Sequence, residues 1–462
     1  MRPRALVYGL AVTGEAVATA LAAHGYEVML ADDQPTPQRA ATAERLGTEL
    51  IGRPEVDEIA RIVEDCALVC PAPGVPETHD VVRAAFAAGV PIVTELDLAY
   101  EWEQRRPGGP RPMLAVTGTD GKTTTTLLIG AMLRAAGRRA VEVGNTDVPL
   151  VAALETDAEV FVVECSSFRL NWLRSFRPAA SVWLNLAPDH QNWHVSLDAY
   201  ESSKARMWSH LLPTDVAIGN HRDPVVMRNL ARVPARRATF GGEGADYRLQ
   251  RDRLVGPAGT MATTAVMTRA LPHDVDNALA AAAVVLESGL AGAEDVRAAL
   301  ATFTHPPHRI ELAGEADGVR WYNDSKATTP HAALTAIRGF DGIVLLAGGR
   351  NKGLDLASLA SEHDRIVGVV ALGEAAEEVA AAFTPWCPVR VAASMAQAVD
   401  LAATMAAPGD VVLLSPACAS FDWYPDGGYP ARGDDFKALV RRRLAAADEP
   451  DTNDAAQRHG GS

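Results

Sequence analysis

The residues with the most chemistry to offer form one stretch, Gly118-Thr119-Asp120-Gly121-Lys122-Thr123-Thr124. The short apolar run Met113-Leu114-Ala115-Val116 before it has the length of a buried strand, and Leu127, Leu128, Ile129, Met132 and Leu133 after it fall at helical spacing up to Gly137. Strand, glycine-rich turn, Lys-Thr and helix is the arrangement that holds a nucleoside triphosphate. The glycines let backbone N–H groups converge on phosphate oxygens, and the dipole of the new helix favours the same anion. Lys122 would set a cation on the β/γ oxygens, and the Thr123 hydroxyl would ligate Mg²⁺. The usual pattern has a glycine five residues before Gly121, where this chain has Val116, so the loop is a shortened form. The plainer alternative is an ordinary strand-to-helix turn with a surface lysine.

Glu164 closes the apolar run Val160–Val163, and an acid at the carboxyl end of a strand beside a phosphate loop is where a Mg²⁺ ligand belongs. Asp189-His190 follows the apolar run Ala180–Leu184 in the same manner. His190 and His194 have a spacing that could hold zinc, but no third ligand stands nearby in sequence and Pro188 opposes a regular helix. His190 fits better near the phosphates, in the Mg²⁺ shell or orienting a substrate. Later come Asn323-Asp324-Ser325-Lys326-Ala327-Thr328, Gly348-Gly349-Arg350-Asn351-Lys352-Gly353 and Ser415-Pro416-Ala417-Cys418-Ala419-Ser420, each after an apolar run. Three strand ends bearing Lys, Thr and Ser on one sheet edge would suit an acidic substrate.

These groups require α/β scaffolds to position them. Ala5–Tyr8, a turn over Gly9–Gly14, a helix over Glu15–His24 and a strand over Tyr26–Ala31 make a βαβ start. Its turn has Ala11 where a dinucleotide fingerprint has its middle glycine, so some other nucleotide diphosphate, or none, is expected rather than NAD. Ala67–Cys70 reads as a later strand with a loop through Gly74 at its carboxyl end, where ligands of such sheets gather. Arg105–Pro112, rich in Pro and Gly, reads as a linker, and Thr304–His308 as a second boundary. Beyond it, runs at 343–346, 366–370 and 411–414, with helices near 374–383, 394–406 and 432–446, predict a third α/β domain.

Bulk properties agree with an ordinary globular chain. The 462 residues allow two to four domains, with 48% hydrophobic and 22% charged residues. A net charge of −15 opposes nucleic-acid binding on a broad basic surface. Five scattered cysteines suit a reducing compartment. The apolar run at the N-terminus is too short for a signal peptide, and none approaches a membrane span, so a cytoplasmic protein is expected. A GTPase is disfavoured because Asn351-Lys352-Gly353-Leu354 lacks the acid of a guanine-reading motif.

Together with Gly144-Asn145 and Pro307-His308-Arg309, these motifs occur in the order of the Mur ligases, which the chain resembles up to about residue 446. The resemblance implies a Rossmann-like domain for the UDP end of a substrate (1–106), a central ATP-binding domain (112–304) and an amino-acid-binding domain (308–447), while the polar composition of 448–462 predicts a disordered tail. It implies that ATP is held by Gly118 to Thr124 with Asn277, Arg309 and Asp324, and that Thr123, Glu164, His190 and Lys204 serve two Mg²⁺ ions, Lys204 as a carbamate. Catalytic roles fall on Lys122, His190 and Lys204, with His190 a candidate base for the attacking amine. Leu10, Asp33, Gly74 and Asn145 would meet a UDP-MurNAc-L-alanine substrate, and Thr328, Lys352, Ser420 and Tyr429 D-glutamate, since Ser415–Ser420 resembles the family's D-glutamate-adding members. The activity implied is ATP-driven amide synthesis through an acyl phosphate, by a monomer with no nucleic-acid or membrane partner. Addition of another amino acid and a nicotinamide-dependent dehydrogenase are the alternatives. Asp276 stands where the family has His before Asn277, and Ala280 where a second Asn is common, so the adenine contacts depart from the pattern.

Overall fold

The computed structural model describes residues 2–146, 148–190 and 193–448. The chain divides between Phe303 and Thr304 into two compact bodies, each α/β. The tail expected to be disordered, beyond Asp448, lies outside the described residues.

The first body opens with strands β1 (Arg4–Tyr8), β2 (Glu27–Asp32), β3 (Leu50–Gly52) and β4 (Leu68–Pro71), all parallel in the order β3-β2-β1-β4. The helix after β1 spans Val12–Ala23, three residues earlier than the sequence suggests. Glu15 N–H already donates to Ala11 O at 3.0 Å, and a Cβ on Gly14 would collide with the Gly9 carbonyl. Gly14 therefore serves close packing of helix on strand, and the true turn is only Gly9-Leu10-Ala11.

A second parallel sheet follows: β5 (Met113–Thr117), β6 (Ala140–Gly144), β7 (Val160–Glu164), β8 (Ala180–Trp183), β9 (Val216–Asn220) and β10 (Arg236–Phe240), ordered β10-β9-β8-β5-β7-β6. Alternate residues of β5 explain its unbroken apolar run. Met113 and Ala115 join one core with Phe161, Phe176 and Trp208, while Leu114 and Val116 join another with Ile129, Val162 and Val284. The first of these cores also contains Val7, Leu21, Leu96 and Ala99, so the two sheets share it. A small antiparallel sheet, β11 (Arg248–Gln250), β12 (Arg253–Gly256) and β13 (Gly259–Thr263), completes this body's strands.

The second body holds β14 (Glu311–Ala316), β15 (Val319–Asn323), β16 (Ile343–Gly348), β17 (Ile366–Leu372), β18 (Val389–Ala392) and β19 (Val411–Leu414), ordered β14-β15-β19-β16-β17-β18. Among the described residues of this body, only β14 runs antiparallel to its neighbour. The last helix spans Gly428–Asp448, four residues longer at its start than expected. Gly427, Gly428 and Pro430 read as loop, yet proline is tolerated in a first helical turn because its missing N–H has no helical acceptor there.

The linker Arg105–Pro112 carries neither helix nor strand, but it is anchored. Arg111, nearly buried, gives Nε and Nη2 to the two oxygens of Glu103 at 2.8 Å each, and further N–H groups to Leu154 O (2.7 Å) and Thr156 O (2.9 Å). Its guanidinium lies 4.6 Å over the Phe161 ring. Glu103→Ala leaves that cation buried without its partner and is expected to destabilise the protein by roughly 3–5 kcal/mol, read as a fall in the urea unfolding midpoint.

Candidate active site

β5 is the switch point of the second sheet: its successor β6 lies two places to one side, and β8 and β9 lie to the other. The loops leaving its neighbours diverge there, opening a crevice at the carboxyl ends of the strands. The loop Gly118–Gly121 leaves β5 at that edge and runs into the helix Lys122–Ala135. Gly121 has φ +83°, which a side chain rarely adopts, and a Cβ on it would stand 2.6 Å from Asn277 Oδ1. Asn185, just past β8, holds the loop's shape. Its Oδ1 accepts the Thr119 and Asp120 N–H groups, both at 2.9 Å, and its Nδ2 donates to Asp120 O at 3.2 Å. Those two amides thus shape the loop.

Two lysines meet this loop from different helices. Lys122 Nζ donates to Gly118 O (3.0 Å) and Thr119 O (2.7 Å), and Lys204 Nζ donates to the same Gly118 O at 2.7 Å. Lys204 is 1% exposed, lies 4.4 Å over the Tyr200 ring, and is held well below the usual lysine range by burial and by the Lys122 cation. Tyr200, one turn earlier on the helix Leu197–Ala205, has its hydroxyl 3.1 Å from Thr119 Oγ1. Tyr200 and Asn185 are site-building residues that their types alone did not mark out. The signal available for Tyr200 was its i, i+4 spacing to Lys204.

Glu164 ends β7 beside the loop, as expected from its strand-end position. Asn145 Nδ2 donates to Glu164 Oε1 at 3.0 Å, while Oε2 is buried without a partner among the described residues. A Cβ on Gly144 would strike the Glu164 carbonyl, so that glycine permits the pairing of β6 with the end of β7. An orphaned carboxylate oxygen and the half-buried Thr123 hydroxyl are hard donors of the kind Mg²⁺ takes. The residues present fit that ion.

His190 sits in the left-handed region (φ +56°), with Nε2 3.2 Å from Asp189 Oδ2 and its ring edge-on to Phe168 at 4.6 Å. His194 is engaged elsewhere: it is buried, its Nε2 is 2.9 Å from Ser167 Oγ, and its Nδ1 is 3.5 Å from Glu77. Among the described residues no three His, Cys, Asp or Glu side chains gather as a metal cluster. Asn277, on the helix Pro272–Glu287, accepts from Thr125 Oγ1 at 3.2 Å, and its neighbour Asp276 pairs with Arg222. The same helix therefore reaches the back of the phosphate loop.

At the carboxyl ends of the first sheet, Leu10 N–H donates to Asp32 Oδ2 at 2.7 Å and the Leu10 side chain is in the core. Asp32 also takes Gln34 N–H and the Arg39 guanidinium, so it is the buried organiser of this turn, one residue before the acid picked from sequence. Asp33 instead accepts from Tyr8 OH at 2.6 Å and lies 3.0 Å from His79. Gly74 is exposed, with open space where a side chain would go. Arg169 ties this sheet to the phosphate-loop sheet, donating to Glu95 Oε2 (2.7 Å) and Thr13 Oγ1 (2.9 Å).

In the second body the three expected loops leave adjacent strands, β15, β19 and β16. Asp324 accepts from Ser415 Oγ at 2.8 Å, and Arg350 and Ala419 exchange backbone hydrogen bonds. Thr328 and Arg309 are half-buried and Lys352 is exposed. Ser420 is buried, and the Tyr429 ring lies 5.3 Å from Lys326 Nζ.

Comparison with known proteins agrees with this layout. Residues 116–285 match the Mur ligase middle domain, and residues 308–418 the Mur ligase glutamate ligase domain. A UDP-N-acetylmuramoylalanine--D-glutamate ligase of Frankia casuarinae is 41% identical, covering 95% of this chain and 94% of that protein. One of Mycolicibacterium vanbaalenii is 39% identical over 95% of this chain and 98% of its own. Among solved structures, the UDP-N-acetylmuramate-alanine ligase MurC of Thermotoga maritima aligns with TM-score 0.57 at 18% identity over 96% of this chain and 100% of its own. MurF of Acinetobacter baumannii aligns with TM-score 0.58 at 17% identity over 94% and 90%. These structural likenesses speak for the fold.

The buried His194 makes the site's stability depend on pH. Burial lowers its pKa, outweighing the pull of Glu77. The unfolded chain then protonates first, near pH 6.5, so the contribution of this residue is complete above that value and is lost as pH falls through the lowered folded value. The urea midpoint of the wild type should drop more steeply between about pH 7 and 5 than that of His194→Gln.

Proposed function

Because the chain belongs to the Mur ligase family, we propose that it is an ATP-dependent amide ligase that joins D-glutamate to UDP-N-acetylmuramoyl-L-alanine in peptidoglycan precursor synthesis. The observation that carries this reading is the cluster at the end of β5, where two lysines share the Gly118 carbonyl beside a buried Glu164 oxygen that has no partner among the described residues. Near-full-length likeness to relatives named as D-glutamate ligases supports the choice of amino acid. No helix among the described residues is long and apolar enough to cross a membrane.

A carboxylate at neutral pH is a poor electrophile, because an amine cannot expel oxide from it. Transfer of the γ-phosphoryl group of ATP to the substrate carboxylate gives an acyl phosphate and ADP, and phosphate is then a good leaving group. Such transfer depends mainly on positioning and charge neutralisation. Lys122 swings from the Gly118 and Thr119 carbonyls to the phosphate oxygens, and the start of the helix Lys122–Ala135 adds its dipole. Mg²⁺, when bound, neutralises phosphate charge, and Thr123 and Glu164 are the donors that fit it. Asn145, just past β6, holds Glu164 in place and is the residue offered to the muramoyl-alanine end. The amine of D-glutamate must lose a proton as it attacks, and His190, oriented by Asp189, is the candidate acceptor. Thr328, Lys352 and Ser420 are the groups offered to the D-glutamate carboxylates, and Arg309 and Asp324 to the rest of ATP.

Lys204 takes a distinct part. Its lowered pKa favours the neutral amine, which can add to carbon dioxide, forming an N–C bond and releasing a proton. The product carbamate is an anion that suits the cation-rich loop and a second Mg²⁺, removing the repulsion from Lys122.

ADP release by the purified protein should require UDP-MurNAc-L-alanine and D-glutamate together, with a Lys122→Ala variant slower by on the order of 100-fold or more at unchanged thermal midpoint. Release driven by a different amino acid would reassign the chain within its family. Protein equilibrated with ¹³C-bicarbonate should show a carbamate carbon resonance that is absent from Lys204→Arg; a spectrum without it removes the carbamate.

A further inference from the structure

Arg432, in the helix Gly428–Asp448, is 2% exposed and is surrounded by neutral acceptors. Its Nε donates to Ser325 Oγ at 2.9 Å, and Nη2 donates to Ser325 O (2.8 Å) and Cys418 O (3.1 Å). The nearby acids are committed elsewhere: Asp324 to Ser415, Asp422 to the Glu374 N–H, and Asp435 to Tyr424 OH. Burial depresses the guanidinium to about 10, against the opposing pull of Asp422 and Asp324.

Its remaining terminus has a direction. Arg432 Nη1 is buried with no partner among the described residues, and it lies 3.2 Å from where a Cβ on Gly349 would stand. Gly349 has φ +126°, and its Cβ would also collide with Ala419 O, so this glycine keeps the approach open. Ala419 is paired with Arg350, and the next residue, Ser420, has its hydroxyl buried and likewise without a partner among the described residues. An idle guanidinium N–H and an idle hydroxyl thus sit among the three loops that leave β15, β19 and β16.

We propose that Arg432 is a substrate-binding residue whose Nη1, together with the Ser420 hydroxyl, receives a carboxylate of the incoming dicarboxylic amino acid. D-Glutamate carries two carboxylates and one ammonium, so its net charge of −1 suits a buried cation whose hydrogen bonds all go to neutral acceptors. A planar guanidinium meets a carboxylate through directed N–H groups, whereas lysine offers only a point charge. The same residue pins Ser325 and Cys418, so occupancy would stiffen the loops that carry Thr328 and Ser420. This inference rests on the proposed D-glutamate ligase activity.

The test is steady-state kinetics of the full chain with ATP, Mg²⁺, UDP-MurNAc-L-alanine and varied D-glutamate, for wild type, Arg432→Lys and Arg432→Gln. The Gln variant should raise KM for D-glutamate by about 10-fold or more and the Lys variant by less, with KM for ATP and for the UDP substrate within about twofold of wild type. An unchanged KM for D-glutamate, or a rise in all three KM values together, would overturn the proposal and leave Arg432 a structural residue. If Arg432→Gln does not fold, the Lys variant decides by the same criterion, at about threefold. If wild type instead answers to another amino acid, the D-glutamate reading fails, and KM for that amino acid decides the role of Arg432.

Discussion

Two lysine side chains converge on a single carbonyl oxygen, that of Gly118. Burial and the Lys122 cation hold Lys204 well below the usual lysine range, so the pair is not readily charged together there without an anion to offset it. Much of the first body follows from it. β5 must be central so that helices on both faces can deliver a lysine, and its neighbours must end in an acid on one side and an amide on the other. Glu164 and Asn185 are those ends. Tyr200 then closes the loop against Lys204's own helix.

The second body meets a similar demand with different means. There an insertion in strand order, β19 between β15 and β16, brings side by side the three strand-end loops of the proposed anion site. The charge at their centre comes from a helix, through Arg432, and its fixed contacts are to backbone carbonyls and a serine. In both bodies the protein holds a cationic group on neutral oxygens, Lys122 in the first and Arg432 in the second. Carbonyls hold such groups in position without neutralising them, so the charge is still available to a ligand.

The sequence was most legible where chemistry follows a local pattern. The phosphate loop, Glu164 at the end of β7 and the three loops of the second body could all be placed because each follows a buried apolar run. Side chains that act across long stretches of chain left no such mark. Lys204 reaches Gly118 from 86 residues away, and only likeness to a family singled it out from other helix lysines. Arg432 bonds Ser325 over 107 residues, in a segment whose glycines and proline hid the start of its helix. Asp32 and Asp33 illustrate a finer failure. Adjacent acids at a strand end point to opposite sides, and pattern alone did not tell which one enters the turn.

The link from Arg169 to Glu95 and Thr13 gives the first body a property that neither sheet has alone. Arg169 lies five residues beyond Glu164, and Thr13 lies on the first turn of the helix that follows β1. With the two sheets also sharing one core, the distance between the carboxyl-end edges of the two sheets is fixed by packed structure. For a ligand that spans both, the body acts as a gauge of length. A molecule with one spacer atom too few or too many between its diphosphate and its acid would seat one end and misplace the other.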